Sequence, residues 1–174
     1  MERNELKELL ATISGKEMKR QLVEILLQGE CVAEAMDIAA NESGPEAFRA
    51  AWGLTGIYEE HRGLFLQCRD KFLTGFPGVK HHSARRQYGR IMLALLEHRE
   101  YCPDPVEAKR LAETVCTWSI DAGARVSEKV WALSILKRLS GQVEWAEDLL
   151  QQIMAMNETD MSSGMKILMR RLHE

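Results

Sequence analysis

Apolar residues recur along this chain at i, i+3 or i+4, i+7 and i+8, the spacing that lays one apolar stripe on an α-helix. Leu6, Leu9, Leu10 and Ile13 open the series, followed by Met18, Leu22, Ile25 and Leu26. The pattern returns at Tyr88, Ile91, Met92 and Leu95, then at Ala108, Leu111, Ala112 and Val115. It closes with Met161, Met165, Leu168, Met169 and Leu172. No stretch alternates with period two, so strands are not expected. Leu22, Ile25, Leu95, Leu111 and Val115 are expected in the core.

Turn residues divide the stripes. Ser14-Gly15-Lys16-Glu17 and Ser43-Gly44-Pro45-Glu46 have the form of capping boxes, in which a hydroxyl accepts a backbone N–H and the Glu reaches back. Asp104-Pro105-Val106-Glu107 has the same design with Asp as the cap and Pro at the first helical position. Gly29, Gly75 with Pro77, Gly123 and Gly141 mark stops, where glycine can enter the left-handed region. These marks predict helices near 2–13, 16–28, 30–42, 45–59, 61–74, 81–99, 105–121, 126–140, 142–156 and 160–173. The connections at 75–80 and 100–104 are too short for domain linkers, so one domain over 1–174 is expected.

Paired in order, these segments make about five antiparallel hairpins. The second helices share a local pattern: Phe48-Arg49-Ala50-Ala51-Trp52-Gly53, Ala84-Arg85-Arg86-Gln87-Tyr88-Gly89 and Ser127-Glu128-Lys129-Val130-Trp131-Ala132. Each places an aromatic four residues after the first position and a small residue next to it, which suits close packing of neighbouring helices. In period and pattern the chain resembles the HEAT/armadillo class of α-helical repeat proteins. That resemblance implies an all-α fold, an α-α superhelix (solenoid) with second helices on the inner face and first helices on the outer. In architecture alone the chain is also similar to the HEAT-like repeat DNA glycosylases of alkylation repair, whose groove carboxylate and aromatics have no residue-by-residue match here.

Composition adds bounds. The chain has 174 residues, 45% hydrophobic and 28% charged, with a net charge of −3, so there is no global pull toward nucleic acid or membrane. Met1-Glu2-Arg3-Asn4-Glu5 is charged, and no run approaches the roughly 20 apolar residues of a membrane span. A cytoplasmic protein is therefore expected, with Cys31, Cys68, Cys102 and Cys116 reduced.

Local signatures of chemistry are missing. The chain carries no GxxxxGK[ST], GxGxxG, GxSxG or HExxH motif. His81 and His82 are adjacent, so on a helix they point about 100° apart and share no metal face. No cofactor or metal is expected. An enzyme with a site assembled only in space stays open as a third reading. Trp52, Trp118, Trp131 and Trp145 suit either a stacking platform or core wedges. The apolar stripes favour the core for Trp118 and Trp131, and Trp145, at a helix start, is expected to be partly exposed. The methionines near the C-terminus likewise read as an adaptable surface or, by their spacing, a buried face.

Charge is the most informative clue to function. The odd-numbered predicted helices carry an acidic excess and the even-numbered ones a basic excess. Arg49, Arg85, Arg86, Arg90 and Lys129 are the candidate site, a concave basic groove for an anionic partner, since guanidinium forks match carboxylate or phosphate. The competing account has the charged rows attracting one another or simply solvated. The expectation is a non-catalytic scaffold that binds an acidic or extended protein segment. Nucleic-acid binding is the alternative.

Overall fold

A computed structural model describes residues 1–157 together with Lys166 and Arg170. The predicted helix at 160–173, with Met161, Met165, Leu168, Met169 and Leu172, lies outside the described residues. Ten α-helices and no strand are present among residues 1–157. They are α1 (Arg3–Thr12), α2 (Met18–Gln28), α3 (Val32–Asn41), α4 (Pro45–Glu60), α5 (Arg62–Gln67) and α6 (Arg69–Gly75), then α7 (His82–Glu97), α8 (Pro105–Ile120), α9 (Val126–Leu139) and α10 (Glu144–Asn157). A 3₁₀ turn, Phe76–Gly78, follows α6. None of the described helices is long and apolar enough to cross a membrane. The chain divides into two compact units, Met1–Ile91 and Met92 onward, and the boundary falls inside α7.

The caps show which local signals prevail. At α8 both halves of the capping box form. Asp104 Oδ1 accepts from the N–H groups of Val106 and Glu107 at 2.8 Å, and the Asp104 N–H donates to Glu107 Oε2 at 2.9 Å. The box expected at Ser14 does not form: Gly15 takes φ +127°, the chain turns away there, and α2 starts only at Met18 after Glu17. At α4 the cap is Gly44 rather than Ser43, because Pro45 occupies the first helical position. The Glu46 carboxylate then fills the space a Gly44 side chain would need.

Two helix ends correct the expected use of glycine. Gly29 is right-handed (φ −82°) and the left-handed residue is Glu30 (φ +47°). Around it Glu30 N–H donates to Leu27 O and Cys31 N–H to Leu26 O, the paired bonds of a Schellman end. Gly29 is kept small for another reason, since a Cβ there would sit 2.9 Å from Cys31 Sγ and 3.0 Å from Ile25 O. Arg99 (φ +55°) ends α7 in the same way, with Arg99 N–H on Leu96 O and Glu100 N–H on Leu95 O. Gly75 is also right-handed, inside the last turn of α6 (φ −77°). The helix predicted at 61–74 is broken at Cys68, whose N–H donates to Phe65 O, one residue nearer than an α-helical bond requires.

In the first unit α4 is the central element, packed on by α1, α2, α3 and α5. α1 packs on α3 and α4 rather than chiefly on α2, so the first two helices do not form the expected hairpin. α2 lies along α4 through two glycines: a Cβ on Gly53 would be 3.0 Å from Leu26 Cδ1, and one on Gly56 would overlap Val23 Cγ2. Beyond α4 runs a ladder of rings. Tyr58 and Phe65 meet edge-on at 5.2 Å, as do Phe65 and Phe72, and Phe72 stacks on Tyr88 at 4.5 Å. The Tyr88 hydroxyl donates to Met36 O at 3.2 Å, and burial raises its pKa far above the ordinary tyrosine value.

In the second unit α8 packs on α9 and α9 on α10. Leu95, Leu111, Val115 and Trp118 are buried there, as the stripes predict. Trp131 is only half-buried, as is Trp145. Leu22 of the first unit is fully buried, while Ile25 is half-exposed.

Candidate anionic-partner site

Four of the five predicted cations, Arg49, Arg85, Arg86 and Arg90, belong to the first unit, and Lys129 belongs to the second. α4 and α7 run parallel, which the contacts along them establish. Phe48 stacks over His81 with ring centres 6.3 Å apart, Thr55 bonds Gln87 at 3.0 Å, and Glu59 pairs with Arg90 at 2.5 Å. α3 and α6 are parallel too, with Asp37 on Lys71 at 2.7 Å and Ala40 against Gly75. Every one of these partners lies 31 to 35 residues further along the chain. The α3–α4 pair is therefore followed by α6–α7 at one near-constant step.

The side chains of the site have separate tasks. Arg49 Nη1 donates to Leu10 O and Ala11 O, both at 2.7 Å, and so satisfies carbonyls at the C-terminal end of α1. Arg85 Nε donates to Val79 O at 2.8 Å and fastens the turn that leads into α7. Both guanidiniums thus hold backbone carbonyls, a use that the sequence pattern did not predict. Arg86 is exposed and engages none of these groups, and Lys129 is half-buried near the start of α9.

Arg90 shares its carboxylate. Glu59 Oε1 accepts from Arg90 Nη2 and Glu59 Oε2 from Lys19 Nζ, each at 2.5 Å. Lys19 and Glu59 are functional candidates that sequence reasoning missed, because the pairing joins residues 40 positions apart with no local signature. Other ion pairs between elements join Arg3 and Lys7 to Glu42, Lys71 to Asp37 and Lys137 to Glu147.

A polar contact between α4 and α7 is buried. Thr55 Oγ1 lies 3.1 Å from Ala51 O and 3.0 Å from Gln87 Oε1, and a hydroxyl has one proton. Both bonds are satisfied when the Gln87 amide presents its NH₂ to Thr55 Oγ1 and Thr55 donates to Ala51 O.

Two cavities open in the first unit. One of about 550 Å³ lies between α3 and α6, with Asp37, Asn41, Asp70, Lys71 and Thr74 on its walls. The other, about 340 Å³, is lined mainly by Leu26, Leu27, Val32, Leu64 and Cys68. Among the described residues no group of three His, Cys, Asp or Glu is placed to hold a metal. The four cysteines are free thiols. Burial raises the pKa of Cys31, Cys68 and Cys116, which disfavours the nucleophilic thiolate.

Comparison with protein-family models, with curated proteins and with solved structures finds no match.

Proposed function

We propose that the chain is a non-catalytic α-helical-repeat scaffold of the HEAT/armadillo type that binds an acidic, extended segment of a protein partner. Successive hairpins of a solenoid, α3–α4 and α6–α7, present α4 and α7 side by side, and the basic surface of α7 receives the segment. The observation that carries this reading is the parallel stacking of α6 on α3 and α7 on α4 at a near-constant step. Such a step is the mark of stacked repeats, which build extended binding surfaces. Arg86 and Arg90 are the contacts offered to the partner, while Arg49 and Arg85 brace the surface through the carbonyls they hold.

Fluorescence anisotropy with a labelled peptide of alternating acidic residues tests this. Arg86→Glu is the informative variant because Arg86 holds no backbone group, whereas Arg85→Glu also strips a donor from Val79 O. The expected result is a loss of roughly tenfold in affinity for Arg86→Glu, with thermal unfolding unchanged, since an exposed charge contributes little to folding. A wild-type protein that ignores the peptide, or a variant that binds it equally well, overturns the reading. Tight binding to duplex DNA that collapses with added salt would replace it by nucleic-acid binding.

A further inference from the structure

Glu59 occupies the last turn of α4, and each of its carboxylate oxygens is held by a different helix. Lys19 reaches it from α2 and Arg90 from α7. A carboxylate in the last turn of a helix faces the negative end of the helix dipole, so Glu59 depends on these two cations for its place. The Lys19, Glu59 and Arg90 side chains retain 35%, 31% and 50% of their exposure. Pairs this wet contribute little to folding and exchange readily with other ions. Arg86 stands one turn before Arg90 on the same face of α7 and is exposed.

We propose that Glu59 is an internal stand-in for the partner, and that an acidic protein segment docks by displacing it from Lys19 and Arg90. This rests on the interaction-scaffold reading and names what the basic surface recognises. Glu59 itself shows the chemistry of the occupant, a carboxylate that gives one oxygen to each cation. Spacing defines the rest. Arg86 and Arg90 are about 6 Å apart along the helix axis, and alternate residues of an extended strand are about 6.6 Å apart. An extended segment with acidic residues at alternate positions therefore sets one carboxylate between Lys19 and Arg90 and the next on Arg86. Until such a segment arrives, Glu59 covers the site and lowers its affinity for stray anions.

The test is anisotropy of a labelled peptide of alternating Asp and Gly residues, measured on the full chain and on Glu59→Gln. Removing the internal competitor should tighten binding about threefold to thirtyfold. Unchanged or weaker binding by Glu59→Gln, with the wild type still binding and Arg86→Glu still losing affinity, overturns the stand-in and leaves the scaffold reading intact. Failure of both wild type and Glu59→Gln to bind overturns both. Should Glu59→Gln lose its helical circular dichroism, Arg90→Gln, which leaves Lys19 on Glu59, decides: a loss of several-fold in peptide affinity supports the proposal and no change refutes it.

Discussion

α4 meets α2 on one flank and α7 on another, and the two contacts are built on opposite principles. Against α2 the helices run antiparallel, with Lys19 at Glu59, Val23 at Gly56 and Leu26 at Gly53, and closeness depends on side chains that α4 lacks. Against α7 the helices run parallel and are joined by side chains that both possess, namely Phe48 on His81, Thr55 on Gln87 and Glu59 on Arg90. The first contact tolerates no added volume, because interiors are close-packed and give way little. The second carries polar partners that fix the register of the two helices. In a regular two-layer array α4 would run parallel to the corresponding helix of the hairpin on either side. The parallel step joins α3 to α6 and α4 to α7, whereas α2 joins α4 by its own close-packed geometry.

The largest effect should come from the aromatic ladder on the α7 side. Phe72 is fully buried and touches Phe65, Phe76 and Tyr88, so Phe72→Ala should cost about 3–5 kcal/mol in urea unfolding. A cost below about 1 kcal/mol would mean that the ladder is not what holds α6 to α7. Next comes the α2 side. Gly56→Ala puts a methyl group where Val23 Cγ2 already sits, and such overpacking costs about 1–3 kcal/mol. Val23→Ala in the same chain should return part of that loss, and strict additivity of the two changes would show that the contact is not steric.

The contrast also shows what a sequence can disclose. Stripes of apolar residues follow from helix geometry within a few turns, so Leu22, Leu95, Leu111 and Val115 were legible as core. The box at Asp104 was legible for the same reason, since all of its partners lie within four residues. The break at Cys68 was not, because neither Gly nor Pro stands there. Left-handed helix ends fell on Glu30 and Arg99 rather than on a glycine, so composition pointed to the wrong residues. Within the candidate site, the cluster of arginines was visible, but Arg49 and Arg85 act on carbonyls that only the fold brings near. Glu59, the group that organises Lys19 and Arg90, has no sequence neighbour that betrays it.

A third kind of contact, a pair of ion pairs, ties α1 to the end of α3, and its effect should be the smallest. Lys7 and Arg3 donate to the Glu42 carboxylate at 2.8 and 2.7 Å and hold its pKa below the ordinary carboxylate value. A lowered folded pKa means that the unfolded chain takes up its proton first as the solution is acidified. The stabilisation is therefore complete above the ordinary carboxylate range and is lost as pH falls through the folded value. Side chains this accessible limit it to under about 1 kcal/mol, less in high salt. Urea unfolding of the wild type and of Glu42→Gln at pH 7 and near pH 3 isolates the term from other carboxylates. The wild type should be the more stable at pH 7, and the gap should shrink in acid. A gap that stays constant, or widens, would mean that Glu42 acts through packing at the end of α3 rather than through its charge.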